Sequence, residues 1–147
     1  MEVLEIGEKF ENAEINYREN AFGIVEKNGY FLMVYTSKDR NHSLPGGGVE
    51  SGETPEEAIK REFVEEAGFK VKSAEEIVQV HCYWHMRDGR QVERFSHIFK
   101  IEVDESSKMN PLEDWHTRVF VDVKDAVDLT PFPYQKAGIE YYLKNFS

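Results

Sequence analysis

Glu62, Glu65 and Glu66 stand at i, i+3 and i+4 downstream of a glycine-rich stretch that begins at Gly46. At about 3.6 residues per helical turn, that spacing puts all three carboxylates on one helical face. Like charges so placed destabilise an isolated helix by roughly 0.2–0.5 kcal/mol per pair, so something must neutralise them. Hard divalent cations take carboxylate oxygens and bridge them to phosphate groups. The pattern therefore predicts a metal-dependent phosphate site. The plainer reading is a solvated acidic surface. A helix macrodipole would account for Glu56 and Glu57 in a first turn, but it disfavours acids in the last two turns, where Glu62, Glu65 and Glu66 fall.

The surrounding residues say which element carries this face. Thr54 and Glu57 have capping-box spacing, each side chain able to satisfy the other's backbone N–H. Pro55 falls at the first helical position, where its missing N–H matters least. Gly68 stands where a left-handed residue stops a helix. A helix over 55–67 follows, with Ala58, Ile59, Phe63 and Ala67 as the apolar stripe that docks on a sheet. Arg61, one turn before Glu65, reads as a brace that also reaches back to Glu53.

Taken together, Gly47, Glu53, Arg61-Glu62-Phe63, Glu65-Glu66 and Gly68-Phe69 are separated by five, seven, one and one residues. This arrangement resembles the complete signature of the Nudix hydrolases, and Leu44-Pro45-Gly46 leads into it as in many relatives. The resemblance implies an α/β fold, a Nudix-type α/β/α sandwich with a mixed β-sheet between helices. It also implies Mg²⁺ or Mn²⁺ held by Glu62, Glu65, Glu66 and the Gly46 carbonyl, and hydrolysis of a P–O–P bond in a nucleoside diphosphate linked to another moiety. Glu65 and Glu62 are the helical candidates for the general base, with Glu113 and Asp114 available in a later loop. His116 occupies a place where a glutamate is often found, which puts Glu65 first. Arg61 and Glu53 complete the catalytic set. Arg18, His42, Gly47 and Glu113 are the candidates for contacting substrate.

The whole chain narrows the partners. Its 147 residues suffice for one domain, 1–147, burying about 70% of the unfolded surface. A formal charge of −10 argues against a dedicated DNA-polymer binder but not against a small phosphorylated substrate. One cysteine, Cys82, excludes an internal disulfide. Neither a basic-then-apolar N-terminal leader nor a membrane-length apolar run is visible, so a cytoplasmic protein is expected. A homodimer is the default assembly.

Apolar, β-rich runs mark strands over 21–27 and 30–35, joined at Asn28-Gly29, then over 77–85 and 118–123, while Phe95, His97, Phe99, Ile101 and Val103 alternate with Ser96, Ile98, Lys100 and Glu102 in the period-2 pattern of a strand. Residues 36–43 read as irregular. Ile139, Tyr142, Leu143 and Phe146 mark a C-terminal helix. His81, Cys82 and His85 lack the partners of a zinc site and read as structural.

Within this frame a nucleoside triphosphate or an oxidised nucleotide is the leading substrate. ADP-ribose, dinucleoside polyphosphates and an RNA 5′ end are the enzymatic alternatives. A non-catalytic, nucleotide-binding regulatory Nudix domain is the alternative of another class. An isomerase of isoprenyl diphosphates shares the fold, with only Cys82 to support it.

Overall fold

The computed structural model of the chain describes residues 1–9 and 14–147. In chain order its elements are β1 (Val3–Ile6), β2 (Ile15–Ile24), β3 (Glu26–Lys27), β4 (Tyr30–Thr36), β5 (Asn41–Ser43), β6 (Gly46–Gly48) and α1 (Pro55–Glu62). There follow β7 (Lys70–His85), β8 (Gln91–Asp104), β9 (His116–Asp122), α2 (Ala126–Leu129) and α3 (Pro133–Asn145). The strands form two sheets. A five-stranded mixed sheet has the order β1-β7-β8-β2-β6, with β1–β7 and β2–β8 parallel and β7–β8 and β2–β6 antiparallel. In the second sheet β4 is central, pairing antiparallel with β9 along one edge and with β3 and β5 along the other.

The α/β class expected from the sequence holds, with one refinement: the mixed sheet is joined by a second, antiparallel one. The run 21–27 is not a single strand. The chain leaves the mixed sheet after Ile24, and only Glu26 and Lys27 pair with β4 across the Asn28-Gly29 turn. Both turn residues have positive φ, 54° and 84°, which suits a two-residue hairpin loop. Residues 36–43, expected to be irregular, include the short β5.

Two apolar clusters hold the layers together. Ile59 and Phe63 of the α1 region pack with Ala21, Leu32 and Phe99, while Ile139 and Tyr142 of α3 pack with Phe22, Phe31 and Ile98. Neighbours in sequence thus go to opposite clusters: Phe31 and Leu32 on β4, Ile98 and Phe99 on β8. A strand covered on both faces reads as a near-continuous apolar run instead of a clean alternation. That is why Ile98, assigned by period 2 to the outer face, is fully buried. Among the described residues no helix is long and apolar enough to cross a membrane.

The helix expected over 55–67 is present but changes character. Thr54 and Glu57 make the reciprocal capping box and Pro55 sits in the first turn. After Glu62 the backbone widens into a π turn over Phe63–Ala67, closed by Gly68 in the left-handed region with its N–H on the Phe63 carbonyl. Such i→i+5 turns are rare and need outside support. It comes from the loop before β9: Leu112 N–H donates to Glu65 O at 2.9 Å and Met109 N–H to Gly68 O at 2.9 Å. Arg118 donates to Ala67 O at 2.6 Å and to Met109 O at 2.9 Å, with its guanidinium 5.0 Å above the Phe69 ring. Arg118→Met removes the charged donor from two carbonyls. It is expected to lower unfolding free energy by about 1.5–3 kcal/mol in urea titration, and a variant as stable as wild type would show that the clamp is idle.

Candidate active site

Arg61 is the hub of the site. Its Nε and Nη2 donate to the two oxygens of Glu53 at 2.8 and 3.0 Å, the bidentate geometry that guanidinium and carboxylate share. Nη2 also reaches the Gly48 carbonyl at 3.0 Å, so loop and helix are tied through one side chain. Nη1 lies between Glu62 and Glu65, at 3.0 and 3.2 Å. The predicted brace is observed, and it engages Glu62 as well. Hydrogen bonds from Arg61, then from the Glu50 backbone, hold the Glu53 carboxyl down at about 2. The same pairing, Glu53 first, raises Arg61 above its ordinary value.

Glu66 faces elsewhere. Its Oε1 accepts the Gly46 N–H at 2.8 Å, and its Oε2 lies 3.5 Å from His116 Nε2. Burial pushes its carboxyl up to about 8, and that outweighs the Gly46 hydrogen bond; the fields of Glu62, Glu113 and Glu65 add to the rise. Glu62 is raised too, by burial first, against the opposing pull of Arg61. Gly47 makes this packing possible, because a Cβ there would stand 2.6 Å from Glu62 Oε1. Hence Glu62 and Glu65 share the Arg61 guanidinium, while Glu66 meets the Gly46 loop.

Whether these residues suit a divalent cation can be judged from their donors and charges. Among the described residues, no three carboxylate, imidazole or thiol groups converge as a ready-made cation site. The reason is visible in the bonds just described. The Arg61 guanidinium compensates Glu62 and Glu65, and the Gly46 N–H meets Glu66. The donors themselves are hard oxygens on a partly buried, negatively charged surface, the chemistry that Mg²⁺ and Mn²⁺ require. His116 adds a buried imidazole whose Nδ1 has no hydrogen-bond partner. The residues therefore fit such an ion. At Gly46 the observed contact is the N–H on Glu66; the carbonyl is the group expected to serve as a metal ligand.

Not every expected residue gathers here. Glu113 does: its charge acts on both Glu62 and Glu66. Arg18 is exposed on β2 and donates to the Tyr17 carbonyl at 3.1 Å, in register with Arg94 of β8. His42 pairs with Tyr35 across β4 and β5, ring centroids 5.1 Å apart. Among the described residues neither has a hydrogen bond or ion pair to the carboxylates. His81 is held between Glu5 and Glu93, at 2.9 and 2.6 Å, as a structural histidine would be. Arg118 and the 109–112 loop had no local signal, since their bonds to the helix end span tens of residues.

Comparison with known proteins now adds to this geometry. A sequence model of the NUDIX domain matches residues 17–143. The chain is 30% identical over 122 residues to Nudix hydrolase 13, mitochondrial, of Arabidopsis thaliana, covering 77% of this chain and 59% of that protein. It is 37% identical over 78 residues to nucleoside triphosphatase NudI of Enterobacter, covering 50% and 52%. Shorter matches are to proteins named RNA pyrophosphohydrolase and ADP-ribose pyrophosphatase. The chain thus spans a little over half the length of the first two relatives. For the fold alone, the crystal structure of the MutT protein from Bacillus halodurans superposes with a TM-score of 0.70 at 21% identity, covering 86% of this chain and 82% of that one. With its domain model running over most of its length and its box complete from Gly47 to Phe69, this chain belongs to the Nudix family.

Proposed function

We propose that this chain, acting as one catalytic domain, is a Mg²⁺- or Mn²⁺-dependent hydrolase of a nucleotide P–O–P bond, with a nucleoside triphosphate or its oxidised form as substrate. The observation that carries the reading is Glu66. Its carboxyl, bonded to the Gly46 N–H, completes with Glu62 and Glu65 a run of hard oxygen donors at one end of α1, the donor type that a divalent ion takes. The relative named nucleoside triphosphatase supports the substrate class, over half of the chain. A lone, buried Cys82 fits a reducing compartment, so the cytoplasm is the proposed location.

The roles divide by exposure and by partner. Glu62 and Glu66, with side chains 13% and 15% exposed, are the ligands closest to the protein interior. When bound, a divalent ion supplies charge neutralisation at phosphate oxygens and activation of water. Glu65, at 34%, is the most open of the three and is the proposed general base. It takes the proton as the water oxygen attacks phosphorus and the bridging P–O bond breaks, the electron pair leaving on the departing phosphate. Arg61 and Glu53 act as positioning residues, keeping the Gly46–Glu53 loop against the helix.

A panel of nucleoside triphosphates, oxidised nucleotides, ADP-ribose, dinucleoside polyphosphates and 5′-triphosphorylated RNA, with Mg²⁺ or Mn²⁺ and products identified by mass, tests the reading. Cleavage of a triphosphate is expected; no cleavage of any compound with either ion returns the chain to the binding-module class. Glu65→Gln is expected to lower kcat by about 10²–10⁴-fold with the melting temperature retained. Turnover near wild type would move the base to Glu62 or Glu113.

The pH dependence of metal-free stability gives a separate check. In the unfolded chain Glu66 ionises near 4.5, in the folded protein near 8. The folded state therefore holds the proton more tightly, and this contribution to stability is complete below 4.5 and lost as pH rises to about 8. Melting temperatures in EDTA should fall across that window more for wild type than for Glu66→Gln. Parallel curves for the two proteins would mean that Glu66 is already ionised in the fold.

A further inference from the structure

The turn that meets Glu66 is fixed at three successive residues, each by a different element. Gly46 N–H donates to Glu66 itself. The Pro45 carbonyl accepts from Gly23 N–H of β2 at 2.9 Å. Leu44 N–H donates to the Gln135 side-chain oxygen at 2.7 Å, across 91 residues of sequence. Gln135 lies in the first turn of α3, 2% exposed, and the same oxygen accepts from the Thr130 hydroxyl at 3.3 Å. Leu44 is fully buried, so its N–H needs an acceptor, and only the oxygen of the Gln135 amide can serve. Gly46 has φ +152°, and a Cβ there would overlap the Ala21 carbonyl oxygen, so the turn sits hard against β2.

We propose that Gln135 is a positioning residue for the acidic site: it holds Leu44, and through Pro45 and Gly46 it sets where the Glu66 carboxylate stands. The inference rests on the hydrolase reading for its catalytic consequence, but the mechanical link does not depend on it. Pro45 is held by β2 and Gly46 by the Nudix box; of the three, Leu44 is the one tied to the C-terminal helix. A lost acceptor leaves a buried N–H unsatisfied, and the turn relieves this by moving toward water. Glu66 then loses the geometry that its Gly46 hydrogen bond fixes. Residues that orient ligands from behind typically change affinity or activity by about 10–100-fold.

Gln135→Met keeps length without the acceptor, Gln135→Leu is a second acceptor-free side chain, and Gln135→Glu keeps an acceptor oxygen. Turnover is measured well below each variant's melting midpoint. Whichever acceptor-free variant folds should lose about 10–100-fold in kcat with KM within about threefold, and Gln135→Glu should keep most of the wild-type kcat. Combined with Glu66→Gln, it should lose little beyond Glu66→Gln alone. A structural role only would lower the melting temperature and leave kcat intact at low temperature, which overturns the proposal.

The second arm needs no activity. In metal-free urea titrations, the effects of Gln135→Met and Glu66→Gln on the unfolding constant should be non-additive by about fivefold or more, because sites that do not communicate usually add. Additive effects overturn the link. A wild-type protein that cleaves nothing would sink the hydrolase reading, while this cycle would still decide the role of Gln135.

Discussion

Negative charge brought together in a partly buried place is the constraint around which this molecule is built. Five glutamates, Glu53, Glu62, Glu65, Glu66 and Glu113, crowd one end of α1, and Arg61 is the cation at their centre. One guanidinium cannot satisfy all of them. It gives its bidentate edge to Glu53 and its remaining nitrogen to Glu62 and Glu65, which leaves Glu66 to the Gly46 N–H. The division is one of geometry, because Glu53 comes from the loop and can meet the fork squarely, while the helical carboxylates approach it side-on. Exposed ion pairs contribute little to stability, but a bidentate pair within a network, with carboxylates 13% and 14% exposed, is held more firmly.

The fold serves this crowding by closing off the alternatives. Strands β4 and β8 are covered on both faces, so their positions are fixed by two apolar clusters at once. Ile59 and Phe63 anchor α1 in one of them and leave its carboxylate face no freedom to rotate outward. Gly23 and Gly47 let the helix approach: a Cβ on Gly23 would collide with the Phe63 ring, and one on Gly47 with Glu62. Close packing here is what makes the charges interact, since the same side chains on a loosely held helix would spread into water.

Much of this was readable in the sequence because it is local. The capping box at Thr54 and Glu57, the left-handed stop at Gly68 and the Asn28-Gly29 turn each depend on residues within a few positions, and each appears in the structure as its chemistry requires. The spacing predicted one face for Glu62, Glu65 and Glu66; in the structure Arg61 bonds the first two and the Gly46 N–H meets the third. What was not legible depends on contacts far apart in the chain. Nothing near Phe63 announces a π turn, because the donors that stabilise it come from Met109, Leu112 and Arg118. The break at Val25 was hidden for a related reason: residues 21–27 are uniformly strand-like, and only the presence of a second sheet splits them. Arg18 and His42 were expected to contact substrate, not the acids, and among the described residues neither has a hydrogen bond or ion pair to the carboxylates.

The compensation of these charges is split between two donors. Arg61 serves Glu62 and Glu65, and the Gly46 N–H serves Glu66 within the π turn. The groups stay close enough for the fields of Glu62 and Glu65 to act on Glu66. A divalent ion, if bound by Glu62, Glu65 and Glu66, would supply the positive charge that Arg61 now gives the first two, while the bidentate pair of Arg61 with Glu53 would still tie the loop to the helix.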